Sequence, residues 1–442
     1  MKHERLIKSR SKKLGAILTV SSLIMVNFLS PVAALAQGSP DIQMAEEGDF
    51  VHDSEDIVLP DLSKLDELKT LEVERGHFDV SDIEVPNPPH QMEVEVGTFV
   101  ELQRAIYSAQ PDTALVINIT RNIEFDDVIV IEGGLDITIQ SDTDTDRRLS
   151  QESRIRYQRH FIVQTNSLLT MRDGILLIGD FSGGGIGVHH ATFNMEGGRF
   201  RYCVADFGGA VYVDNGIVNM TGGRIWHNAS DISGGGLYVK NGEFNMYGGG
   251  IGGYTQGDGG GLYISNGEFN MYGGDIEGVA EFDGGGGGVY ALNGEFNMYG
   301  GRISGSAEAG GGIYLNGGTA NLTGGSLMNG SAEFGGGMFI NEGIANLNGG
   351  EISSNIATTA GGGIYIDRGG NLEMENGSIT YNEALQGGGV VVGDLATFTM
   401  RGGIIDHNTA PRHCAISVNP SGTFNHEGGV LAGYCIPVVD IS

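Results

Sequence analysis

One sequence unit recurs ten times between residues 183 and 442, and nothing else in the chain constrains the fold as much. The unit reads Gly-Gly-Gly, an apolar–Tyr–apolar triplet, a Gly corner, Phe-Asn-Met, a Gly-Gly corner and Ile. Units start at Gly183, Gly208, Gly234, Gly259, Gly286, Gly310, Gly335, Gly361, Gly387 and Arg412, spaced 24 to 27 residues apart. The nonapeptide Asn-Gly-Glu-Phe-Asn-Met-Tyr-Gly-Gly stands unchanged at 241–249, 266–274 and 293–301. A fixed period of this kind marks a repeat array.

The period converts into a shape. In the unit 259–285, Leu262 and Ile264 alternate around Tyr263, and Phe269 and Met271 alternate around Asn270. Each is a period-two strand, Ile276 marks a third, and glycine pairs supply the corners between them. Leucine-rich repeats lack this pattern and propeller blades need longer units. The fold class that fits is all-β: a single-stranded right-handed parallel β-helix, three short strands per coil of about 25 residues. Leu262, Ile264, Phe269, Met271 and Ile276 then point inward, so Met271→Asp should disrupt the coils. Outward-facing Asn270 should tolerate aspartate. One unit cannot offset its own ordering entropy, so stability must come from stacking coils.

Four regions follow. Residues 1–36 read as a signal peptide, with Lys2, Arg5, Lys8, Arg10, Lys12 and Lys13, an apolar run from Leu14 to Leu29, and Ala34-Leu35-Ala36. Residues 37–96 hold 17 Asp+Glu against 3 Lys+Arg and read as an acidic, disordered or loosely packed spacer. Residues 97–182 supply a capping helix at 98–109, with Phe99, Leu102, Ala105 and Ile106 on one face, and the first coils. Residues 183–442 are the ten-unit array. The chain carries 55 Asp+Glu and 25 Lys+Arg, a net charge of −30, which excludes nucleic acid as a partner. No stretch after the signal is long and apolar enough to span a membrane, so an extracellular chain, secreted or surface-associated, is expected.

Gly-Gly-Gly-Ile-Tyr at 361–365 and Asn-Met-Tyr-Gly-Gly at 245–249 resemble the units of right-handed β-helix repeat proteins. That is the pectate-lyase-like superfamily, and the glycine-rich form is similar to adhesin-like surface proteins of Gram-positive bacteria. The resemblance implies adhesion or binding to an extended glycan or host or cell surface; lyases, hydrolases and tailspike fibres share the solenoid. Hydrolases of this superfamily carry Asn-Thr-Asp, paired Asp, Gly-His-Gly and Arg-Ile-Lys motifs. Here only Asp126-Asp127 matches.

No catalytic residue, cofactor or metal is therefore assigned. If the chain is an enzyme, polysaccharide lyase or glycosidase chemistry is the expectation. His189-His190, Tyr202-Cys203, His407, His413 and Cys414 lack the spacing of a zinc site. Tyr212, Tyr238, Tyr263, Tyr290, Tyr314, Phe339 and Tyr365 fall at one outward position and predict an exposed aromatic column. Its tyrosines are the candidate ligand-binding residues, by sugar stacking, with structural support of the solenoid as the plainer alternative. Asn194, Asn219, Asn245, Asn270, Asn297, Asn321 and Asn346 predict a second column. Glu243, Glu268 and Glu295 predict a third. Cys414 and Cys435 are 21 residues apart, nearly one coil, and can meet in a disulfide that leaves Cys203 odd.

Overall fold

The computed structural model describes residues 90–151 and 157–432. Signal peptide 1–36, spacer residues 37–89 and Cys435 lie outside the described residues. From residue 90 the chain winds as a right-handed parallel β-helix of about 13 turns. Every ladder is parallel and pairs one coil with the next, giving sheets of 14, 12 and 16 strands.

The first sheet carries the Phe-Asn-Met strands. Glu243–Met246, Glu268–Met271 and Glu295–Met298 pair in strict register, so Phe, Asn and Met each sit on their own kind. The second sheet carries the tyrosine triplets, with Tyr238, Tyr263, Tyr290 and Tyr314 in register. The third carries Ile251, Ile276 and Ile303. Leu262, Ile264, Phe269, Met271 and Ile276 are all buried inside the coil, as the alternation requires. At the Gly-Gly corner, Gly274 has φ +90°, and a Cβ there would stand 2.6 Å from Met246 Cε. The corner glycine and the methionine below it thus fit as one piece.

The capping helix forms over Phe99–Tyr107, with Thr98 as N-cap accepting from the Glu101 N–H. Phe99, Leu102 and Ile106 are buried, Phe99 lying 5.3 Å from Phe125. The helix closes the first coil from inside the chain's own turn. The spacer boundary needs correction. His90–Val96 is a strand that pairs with Thr113–Ile119, so residues 90–96 already belong to the solenoid rather than to the spacer. Val94 and Val96 alternate with Glu93 and Glu95, and the high acid count hid that alternation. Glu93 accepts from Asn118 Nδ2 at 2.6 Å.

The third sheet turns its corner in two ways. In the three near-identical coils the small residue lies two positions after the core isoleucine: Ile251 to Gly253, Ile276 to Gly278, Ile303 to Gly305. There the strand runs on unbroken as Gly250–Thr255, Asp275–Ala280 and Arg302–Ser306. Elsewhere one extra residue is inserted: Ile225 to Asn228, Ile352 to Asn355, Ile379 to Asn382, Ile405 to Asn408. The inserted position is left-handed, at His227, Ser354, Tyr381 and His407. The asparagine after it turns inward and is buried. Asn382 Nδ2 donates to Ile352 O and Asn408 Oδ1, and its own Oδ1 accepts from the Asn355 N–H and Nδ2. This inner amide ladder replaces ladder bonds that the bulge removes.

Candidate functional site

The three coils that share the nonapeptide place identical side chains above one another on the first sheet's outer surface. Along each strand Glu, Asn and Tyr point out while Phe and Met point in. The asparagines form a continuous ladder. Asn219, Asn245, Asn270, Asn297, Asn321 and Asn346 each donate Nδ2 to the Oδ1 of the asparagine below, at 2.8 to 3.1 Å. Within the three copies the second Nδ2 hydrogen donates to the glutamate two residues earlier. The bonds are Asn245 to Glu243 at 2.7 Å, Asn270 to Glu268 at 2.8 Å and Asn297 to Glu295 at 3.2 Å. Each carboxylate is therefore held against a neutral donor, which offsets part of the repulsion along its column. Outward Asn270→Asp is then not mild: it removes both donated bonds and adds a charge beside Glu268.

Beside the carboxylates runs a shallow groove of about 480 Å³. Asn241, Asn266 and Asn293, all left-handed, line it together with Glu268 and Glu295. At the other end of the strands stand Tyr247, Tyr272 and Tyr299, 52%, 45% and 49% exposed. Their rings stack at 4.8 and 4.9 Å, within 8° of parallel. Sequence reasoning passed over this column because Tyr-Gly-Gly reads as a corner. Its signal was the threefold exact copy.

The predicted tyrosine column exists but is not an exposed face. Tyr212, Tyr238, Tyr263, Tyr290, Tyr314, Phe339 and Tyr365 stack with centroids 4.9 to 5.6 Å apart. Tyr263 and Tyr290 are only 8% and 7% exposed, and Tyr212, Tyr238, Tyr314 and Tyr365 are half-buried. Corner loops fold over the column. Phe207 packs edge-on against Tyr238 and Phe334 against Tyr365, and a Cβ on Gly285 would stand 2.5 Å from the Tyr314 ring. Desolvation pushes these phenols up, Tyr314 to about 12. Tyr290 Oη accepts from Asn316 Nδ2 at 2.7 Å. In both columns each ring covers its neighbour's face, so interior members offer edges and hydroxyls rather than faces for sugar stacking.

The remaining candidates stay apart. Asp126 and Asp127 lie in an exposed turn, where Asp127 accepts from the Val128 N–H and Gln158 Nε2. His189 is half-buried, its imidazole pushed below the ordinary value mainly by burial; His190 is exposed. Cys203 is a free thiol in the core, and burial pushes it up to about 12, which suits no nucleophile. His407 pairs with Asp406 at 2.9 Å, His413 is exposed, and Cys414 is buried. Among the described residues no group of three or more His, Cys, Asp or Glu is placed to hold a metal ion.

One pair of carboxyl groups shares a hydrogen bond, Glu308 with Asp283. At a corner between the third and second sheets, Glu308 is raised to about 7. Partial desolvation is the largest cause, followed by a hydrogen bond with Asp283 and the charges of Asp283 and Glu333. No family model, curated protein or solved structure matches this chain.

Proposed function

We propose that the chain is a secreted or cell-surface β-helix protein of the pectate-lyase-like superfamily that binds an extended glycan or cell surface without turnover. The observation that carries this reading is the exposed Tyr247–Tyr272–Tyr299 column, in register with the Glu and Asn columns across three copies of one nonapeptide. Three copies at one ladder spacing of ~4.8 Å suit a polymer that meets the same groups repeatedly. Identical weak contacts in a row raise avidity although no single contact is strong. The groups on offer are phenol hydroxyls and carboxylates, with the neighbouring Asn241, Asn266 and Asn293 amides; all of these hydrogen-bond to hydroxyl-rich chains. Binding therefore runs through hydroxyl edges, with ring faces free only at the two ends of the stack.

The test is retention on immobilised polysaccharides. Tyr247→Ala/Tyr272→Ala/Tyr299→Ala should weaken binding about tenfold or more, while Tyr238→Phe/Tyr263→Phe/Tyr290→Phe should leave it unchanged. Release of unsaturated or reducing sugar ends by the wild-type protein would overturn the non-catalytic reading.

A further inference from the structure

A second surface runs along the corner that links the third sheet to the second. Eight successive corners, 204–210 through 382–389, contain no Lys or Arg, and all but the one at 356–363 carry acids: Asp206, Asp231, Asp258, Glu281 with Asp283, Glu308, Glu333 and Glu383. Arg159 meets the start of this ridge, donating to the Phe207 and Gly209 carbonyls. Beyond it, Asp258, Glu281, Asp283, Glu308, Glu333 and Glu383 form no salt bridge among the described residues. Elsewhere several basic side chains are paired, as in Arg172–Glu196, Lys240–Asp214, Arg302–Asp275 and Arg401 with Glu373, Glu375 and Glu427.

The ridge is also apolar. Ile232, Phe282, Ile356 and Leu385 are 46%, 75%, 49% and 61% exposed. Phe282 is held outward on a left-handed backbone at φ +51°. The corners form a continuous column. The Glu308 N–H donates to Gly284 O, the Glu333 N–H to Glu308 O, and the Gln386 N–H to Thr359 O. From Ile232 to Leu385 the ridge spans six coil steps, roughly 29 Å, which about nine residues of extended chain would cover.

We propose that this ridge docks an extended basic segment of a partner polypeptide, in which lysine or arginine alternates with apolar residues. Charge complementarity selects the partner: Asp283, Glu308, Glu333 and Glu383 are exposed, with half-buried Asp258 and Glu281 beside them, alongside large exposed apolar side chains. Such acids steer and hold a basic chain, and the apolar groups distinguish it from a diffuse cation. The surface is separate from the Tyr247–Tyr272–Tyr299 face and does not depend on it.

The test uses the full-length protein and a fluorescent peptide alternating lysine with leucine, followed by anisotropy. Glu308→Gln/Glu333→Gln/Glu383→Gln should weaken binding by about tenfold and flatten its salt dependence. Phe282→Ser/Leu385→Ser should weaken this peptide while leaving an oligolysine peptide unaffected. All five side chains are exposed, and unchanged far-UV circular dichroism confirms folding. The Tyr247→Ala/Tyr272→Ala/Tyr299→Ala protein should bind the peptide as wild type does, even where glycan binding is lost. Peptide binding that survives both ridge variants, equal competition by spermine, or equal loss in the tyrosine variant would overturn the proposal.

Discussion

The three copied coils and the coils after residue 326 bury the same kind of core but turn the third corner by opposite means. In the copied coils the corner backbone lies so close to the next corner that only glycine fits. A Cβ on Gly278 would stand 2.1 Å from the Gly261 nitrogen. In the later coils an extra left-handed residue opens the corner, and buried Asn355, Asn382 and Asn408 supply the missing hydrogen bonds. One region satisfies its backbone by contact with backbone, the other by buried amides. Backbone contact leaves no side chain to choose, whereas the amide ladder depends on every rung.

The largest break of this comparison is Gly278→Val. Its neighbour at 2.1 Å is backbone and cannot move aside, so we expect a loss of ~4 kcal/mol or failure to fold, read from urea midpoints. The matching change in the later coils, Asn382→Ala, strands the Asn355 donors and the Ile352 carbonyl. It should cost ~2–3 kcal/mol in the same assay. On the outer ladder, Asn270→Asp should cost ~1–2 kcal/mol at neutral pH. That loss should shrink in acid, where the new carboxyl protonates and regains a donor; a pH-independent loss would show that its charge beside Glu268 is unimportant.

The smallest effect concerns Glu308. Its folded-state carboxyl titrates near 7 against an ordinary 4.5, so the folded state holds the proton more tightly. Stability from this group is full below about 4.5 and declines as pH rises through about 7. Glu308→Gln should flatten that decline by a fraction of a kcal/mol, because the group is exposed and screened. An unchanged pH profile would place the cause of the decline elsewhere.

The period-two alternation at Leu262–Ile264 and Phe269–Met271 made the coil legible, since inward positions repeat in every unit. The outer asparagine ladder was legible for the same reason. Exposure was not. Whether Tyr263 meets solvent depends on how distant corners such as Phe207 and Phe334 fold back, and alternation carries no record of that path. Tyr247 lies one residue beyond its strand, where a reading by alternation stops. The inner Asn382 was hidden by the inserted residue, which shifts the parity after Ile379 and makes an inward amide look like turn chemistry.

The strict register of the copied coils has a consequence for the gene. Residues 243–267 can be removed and Glu268 joined to Gly242, and in the first sheet each new neighbour is the residue type that the old one was. Deleting such a coil creates no mismatched pair in the first sheet, but in the third it sets Asp275 and Glu277 where Gly250 and Gly252 leave room for the Trp226 ring, so unequal crossing-over between these segments would keep one sheet and re-pair the other two. Repeat number is then limited by what the third sheet can re-pair rather than by the copied strands.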